Sequence, residues 1–154
     1  MKSICASLED KLLTALRGLD LPVPVVGLLE TAGNGEVKQE DLTALQLRVY
    51  GVQQPHEAHG IWQCKAELRL EVEQAESANG VMFRDAHEAV ALWLERVMLE
   101  DTCAEELDTD ELFVDGFHLG EGGDADFDTS GGVWYATWTV TLSGRLKTQT
   151  QEEN

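Results

Sequence analysis

IWQCKAELRLEVE, residues 61–73, alternates apolar and polar side chains without a break from Trp62 to Glu73. Even positions are apolar and odd positions are polar, which is the two-residue period of a β-strand with one buried and one solvated face. The stretch therefore predicts a long antiparallel strand whose dry face must be covered by another layer. The apolar set is Trp62, Cys64, Ala66, Leu68, Leu70 and Val72.

Other segments carry a strand signal of the same kind. Residues 133–146 alternate an apolar set with Tyr135 and a series of threonines, and their threonine and aromatic content favours a strand. Residues 42–53 and 112–119 have the same pattern over shorter lengths, and a helix beginning at Asp41 is an alternative for the first. The apolar segment 22–29 begins with a proline and predicts an edge strand.

Two segments switch to the three-and-four spacing of an amphipathic helix, at residues 3–17 and 82–99. In the first segment, Glu9, Asp10 and Lys11 are predicted to lie on the solvent side. Helices interrupting a series of antiparallel strands predict the α+β class. We expect an antiparallel sheet of four to five strands with two amphipathic helices packed on one face, while the other face stays wet or meets a partner. This gives one domain over residues 1–147 and a flexible C-terminal tail over 148–154.

The charge is unusual. Eleven Lys and Arg residues against 29 Asp and Glu residues leave a net charge of −18, which argues against a broad nucleic-acid-binding surface because phosphate binding needs clustered Lys and Arg. No Lys or Arg occurs between residues 97 and 144, where the acids are dense. Such a run is commonly a solvated face, and its excess also fits a surface that repels DNA, mimics DNA or faces a basic partner.

The sequence also limits location and redox chemistry. No apolar run approaches the length of a membrane span, and the first ten residues lack the apolar region of a secretory signal. Cys5, Cys64 and Cys103 are far apart and form no CxxC pair, which favours free thiols in a reducing compartment. We therefore expect synthesis in the cytoplasm and no membrane association.

Residues 120–132 predict a long glycine- and aspartate-rich loop between the last two strands. Asp124, Asp126 and Asp128 alternate as at the start of a calcium loop, but Thr129 and Tyr135 stand where that loop needs glycine and a bidentate glutamate. They are weak metal candidates, and a solvated acidic loop is the favoured interpretation. Because long surface loops are often functional, we predict interaction residues here. The set is Glu121, Asp124, Asp126, Phe127, Asp128 and Tyr135.

No motif predicts catalysis. Cys64 lies on the dry face of the predicted strand and is expected in the core. No nucleophile elbow or phosphate-binding glycine pattern is present. The sequence thus predicts no catalytic residue, no cofactor and no enzyme activity. Its four histidines lack an HExxH motif or paired cysteines, and its four tryptophans lie on apolar stripes, where core packing explains them. These residues are His56, His59, His87, His118, Trp62, Trp93, Trp134 and Trp138.

The order and size of these elements resemble the tail-terminator, or tail-completion, and related neck proteins of long-tailed bacteriophages. The resemblance rests on the opening helix at 3–17, the strand at 61–73, the helix at 82–99 and the closing hairpin at 112–146. It implies a small α+β virion protein, synthesised in the host cytoplasm, that forms a homo-oligomeric and commonly hexameric ring. Its implied partners are the tail tube and the head–tail connector, with DNA passing through without specific binding. The family supplies no catalytic residues.

Alternatives from other classes remain open. An acidic DNA mimic would use the carboxylates of residues 100–128 to occupy a DNA-binding protein's groove. A dimeric secretion-chaperone-like adaptor would also be a small acidic α+β protein. A metal-dependent enzyme would require the aspartates of the 120–132 loop as ligands.

Overall fold

The computed structural model describes residues 3–27, 43–54, 60–74, 78–100 and 103–147. These residues form a mixed sheet with helices, so the predicted α+β class is confirmed. The helices are α1 (Ile4–Arg17), α2 (Ala78–Glu100) and α3 (Cys103–Glu106). The strands are β1 (Val25–Gly27), β2 (Ala44–Gln53), β3 (Ile61–Glu73), β4 (Leu112–Gly122), β5 (Asp126–Asp128) and β6 (Val133–Leu146).

The sheet has the strand order β1-β2-β3-β6-β4, and β5 pairs with the start of β6. The quoted stretch is thus the central strand, and it pairs along its whole length with β6, from Ile61 opposite Arg145 to Glu73 opposite Val133. The sheet has six strands rather than four to five, and β1 runs parallel to β2. The expectation of an antiparallel sheet is therefore wrong for this pair, because a short apolar segment does not encode the direction in which it pairs.

One face of the sheet is dry, as the alternation predicts. Trp62, Leu70 and their even-numbered neighbours on β3 are at most 1% exposed, and they share one core with the buried residues of α1, α2 and β6. The opposite face of β3 carries exposed or half-buried polar residues. Both long helices contribute buried residues to this one core, so they cover the same face of the sheet. None of the helices in the described part of the chain is long and apolar enough to cross a membrane.

Helix α1 begins where the sequence predicts. The backbone N–H of Ala6 donates to the Ser3 hydroxyl at 3.0 Å, so Ser3 caps the first turn. The prediction that Glu9 faces solvent is wrong, because its side chain is only 5% exposed. Strand β1 packs beside this face of the helix, and the absent side chain of Gly27 leaves the space: a Cβ there would lie 2.7 Å from Glu9 Oε2.

The other boundaries shift for identifiable reasons. Helix α2 begins four residues earlier than predicted, and the Asn79 side-chain amide donates to the carbonyl oxygen of Glu73 at the end of β3. The predicted loop 120–132 is partly strand, since β4 continues to Gly122 and β5 adds three paired residues. The tail 148–154, His56, His59 and the side chain of Cys103 lie outside the described residues.

Cys64 is a core residue, as predicted, with a fully buried side chain on β3. Burial raises the pKa of its thiol to about 12, and the nearby Cys5 adds a smaller upward contribution. Since the thiolate is the reactive form, we expect a Cys5→Ser/Cys103→Ser variant to resist thiol labelling at neutral pH until it is unfolded in guanidinium. Rapid labelling of the folded variant would contradict the buried position of Cys64.

Candidate functional site

The far end of the β4–β6 hairpin carries a group of carboxylates, and we call residues 120–128 the acidic tip. Strand β4 ends at Gly122, the chain turns, and β5 then pairs with β6. Gly122 and Gly123 have φ of 118° and 87°, a region that favours glycine. The N–H of Gly123 donates to the Thr137 carbonyl oxygen at 2.6 Å, which fixes the turn against β6.

An aromatic cluster anchors the tip to α2. The ring of Phe83 lies 5.7 Å from His87 and 5.9 Å from Trp134, and Phe127 on β5 lies 4.6 Å from Trp134. His87 in turn lies 5.2 Å from the ring of Trp138. Such contacts between rings stabilise beyond the area they bury. The tip is therefore attached to the core through side chains from three elements.

His87 also forms a polar contact with the tip. Its Nε2 lies 2.6 Å from the carbonyl oxygen of Gly123. A carbonyl oxygen only accepts hydrogen bonds, so Nε2 carries the proton and donates it. No sequence pattern indicates this role, because the two residues are 36 positions apart and the contact depends on how α2 packs on the sheet.

Two of the tip aspartates shape the local backbone. Asp126 accepts from the N–H of Phe127 at 2.8 Å and from the hydroxyl of Tyr135 at 3.2 Å. The negative charge of Asp126 raises the pKa of the Tyr135 phenol. Asp128 accepts from the N–H of Ser130 at 2.9 Å, within the turn that leads to β6. These carboxylates hold the β5–β6 turn in place.

The alternate aspartates are not arranged as in a calcium loop. Asp126 and Asp128 lie two residues apart on a strand, which separates their Cα atoms by about 6.8 Å along one face, whereas a calcium loop curls its ligands around the ion. Among the described residues, no three His, Cys, Asp or Glu side chains are gathered where a metal could bind.

The six predicted interaction residues divide into two groups. Glu121 and Asp124 are exposed beside the turn after β4. The β5–β6 pairing brings the others together, with Asp126 opposite Tyr135 and Phe127 opposite Trp134. Phe127 is half-buried against Trp134, so it holds the tip in place, while the carboxylates form its surface.

The other acidic residues between positions 97 and 144, where the sequence has no Lys or Arg, have mixed roles. Glu106 on α3 accepts from Trp93 Nε1 at 2.8 Å and pairs with Arg96 at 2.6 Å, which fastens α3 to α2. Asp108 accepts from the N–H of Val114 at 2.7 Å. Glu105 and Asp110 are exposed. Only part of the predicted acidic surface is therefore available to a partner.

The outer face of the sheet differs from the acidic tip. It carries Arg48, Lys65 and Arg69 on adjacent positions of β2 and β3, and a series of threonines on β6. Arg48 pairs with Glu67 at 3.2 Å and lies over the ring of Tyr50 at 4.3 Å. Exposed pairs of this kind contribute little stability. The face is polar and nearly balanced in charge, in contrast to the tip.

Comparisons with known proteins add little about function. No protein-family model matches the sequence. A search of curated proteins finds no match either. Among solved structures, one protein is similar over 93% of this chain and 92% of its own, at 14% identity and a TM-score of 0.45. That similarity is too weak to support a functional argument.

Proposed function

We propose that this chain is a structural virion protein, a subunit of the tail-terminator or tail-completion type that forms a ring at the head–tail junction. The observation that carries the proposal is the acidic tip, whose exposed carboxylates Glu121 and Asp124 are held on a turn fixed to the core. A subunit of this type needs no catalytic group. It needs a stable domain and surfaces that contact other copies and tolerate DNA.

The electrostatics favour passage of DNA rather than binding. A wall of carboxylates repels the phosphate backbone, so DNA does not adhere while it moves through a ring. The sequence between residues 97 and 144 contains no Lys or Arg. Arg69 on β3, which lies 5.5 Å from the Tyr135 ring, offsets part of the charge at Asp126, whereas Glu121 and Asp124 are exposed on the other side of the turn. Because the tip is attached through β5, His87 and the aromatic cluster, it presents these charges without an ordering cost at assembly.

Light scattering combined with negative-stain imaging tests the proposal, on the protein alone and with isolated phage tail tubes. Rings, or caps on tube ends, would support it. A stable dimer that binds an effector segment would instead favour the secretion-chaperone-like adaptor. A monomer that binds a basic DNA-binding protein tightly and salt-sensitively would favour the DNA mimic. Either of the last two results would count against the ring.

Charge reversal at the tip should make the assembled protein adhere to DNA. We expect Glu121→Lys/Asp124→Lys rings to be retained on immobilised DNA about tenfold more strongly at low salt, with retention falling as salt rises. Asp85→Lys/Glu88→Lys changes the net charge equally on exposed positions of α2 and is the matched control. Equal retention of the two variants would show that the tip does not face the DNA path.

A further inference from the structure

Helix α2 exposes two large apolar side chains on the face turned away from the sheet. Leu92 is 61% exposed and Leu99 is 70% exposed, the highest values among the large hydrophobic residues that the structure describes. They are seven positions apart, so they project from the same side of the helix. Single exposed leucines are ordinary on a protein surface, but the heptad spacing of this pair places both leucines on one line along the helix, where a facing helix can contact them together.

The surface around these leucines has the shape that helix pairing requires. A shallow groove of about 310 Å³ includes Leu92, Glu95, Arg96 and Leu99 in its lining. A second groove, of about 260 Å³, lies one turn earlier on the helix, and Leu19 after α1 forms one of its sides. Its lining residues on α2 are Ala89, Leu92, Trp93 and Arg96. Each set has the spacing i, i+3, i+4 and i+7, which forms the four-residue hole that receives a side chain from a facing helix.

We propose that this face of α2 binds the same face of a second copy of the chain, with the two helices antiparallel about a two-fold axis. An axis midway between Glu95 and Arg96 places Leu92 opposite Leu99 of the second copy. Leu99 of the second copy then enters the groove beside Ala89 of the first. The same axis places Glu95 opposite Arg96 of the second copy. Two-fold symmetry repeats every one of these contacts.

The charges of Glu95 and Arg96 are complementary in that arrangement and not in a parallel pairing in register. Glu95 is exposed. The side chain of Arg96 is 40% exposed even though it pairs with Glu106 at 2.6 Å, so its guanidinium has donors left for a second carboxylate. A parallel pairing in register would place Glu95 against Glu95 and Arg96 against Arg96. The alternating signs at these two positions therefore select the antiparallel copy.

This contact is independent of the proposed ring. It uses the outer side of α2, whereas the acidic tip and the outer sheet face remain uncovered by it. Because only about three helical turns take part, the contact is smaller than a standard stable interface, and we expect association in the micromolar range.

Sedimentation at increasing protein concentration tests the contact. We expect Leu92→Glu and Leu99→Glu each to raise the dimer dissociation constant about a hundredfold, because each change removes one leucine from both sides of the two-fold axis. Val81→Glu is the matched control, since Val81 is 49% exposed on the same helix but lies beyond the paired region. Thermal melting checks that the variants are folded. Wild-type protein that stays monomeric up to its solubility limit, or equal dimerisation of Leu99→Glu and Val81→Glu, would overturn the proposal.

A mixing experiment tests whether position 95 of one copy faces position 96 of the other. Glu95→Arg alone and Arg96→Glu alone should each place like charges opposite one another and lose the dimer. An equimolar mixture should restore it, because the arginine introduced at position 95 of one copy then faces the glutamate introduced at position 96 of the other. Glu106→Gln keeps an acceptor for Trp93 and controls for the lost ion pair between Arg96 and Glu106. No recovery in the mixture would exclude this register, whereas rings formed by Leu99→Glu protein would leave the ring proposal intact.

Discussion

Replacing Gly144 with alanine is expected to destabilise the protein by about 3 kcal/mol or more. A Cβ at this position would overlap the carbonyl oxygen of Phe113 on β4 and would lie 2.7 Å from Cζ2 of Trp62. The carbonyl belongs to the backbone and has no rotamer to adopt, and the Trp62 side chain is fully buried. Either β4 must separate from β6 or the indole must leave its packed position.

Urea unfolding measures this effect. Gly80→Ala is the control. The nearest side-chain atom to its added Cβ would be Nε1 of Trp134 at 3.9 Å, and alanine is favoured over glycine in a helix. We expect the midpoint of the control's urea unfolding transition to equal that of the wild-type protein or to lie slightly above it. If Gly144→Ala unfolds there as well, the close approach of β4 to β6 at Phe113 is wrong.

Gly144 also shows what the sequence could and could not predict. The alternation along β3 and β6 predicted both strands with their observed bounds, because each strand has one dry and one wet face over its whole length. Gly144 continues the dry face of β6, where it lies opposite Trp62. The register shift of β4 between Val114 and Gly116, opposite Gly144, depends on the partner strand and leaves no period in the sequence.

The candidate site was predictable in composition but not in organisation. The carboxylates of residues 121–128 stand out in the sequence, and the structure places Glu121 and Asp124 on the surface. Strand β5 has only three residues, too few for a periodic signal, and it exists because β6 offers it a partner. The burial of Glu9 has a similar cause, since the space it occupies is provided by Gly27 on a different element. Contacts between distant elements decided each of these features.

Replacing Trp138 with alanine is expected to cost about 3–5 kcal/mol and to release the acidic tip. Trp138 is 3% exposed, and its ring lies 5.2 Å from that of His87. Gly123 approaches the indole so closely that a Cβ on Gly123 would overlap Nε1. Without the indole, both the His87 ring and the Gly123 turn lose the surface against which they pack, so the tip loses its support together with the core.

Backbone hydrogen exchange separates the loss of global stability from the release of the tip. In Trp138→Ala we expect the amides of β5 and of the Gly123 turn to exchange much faster than those of β2 and β3. Trp93→Ala is the matched control, because Trp93 is equally buried at 3% but contacts Phe117 and Glu106 instead of the tip. It should lose comparable stability and keep the tip protected relative to the sheet. If both variants exchange at the tip alike, the aromatic cluster does not anchor it, and the carboxylates would not form the fixed surface that the proposed ring requires.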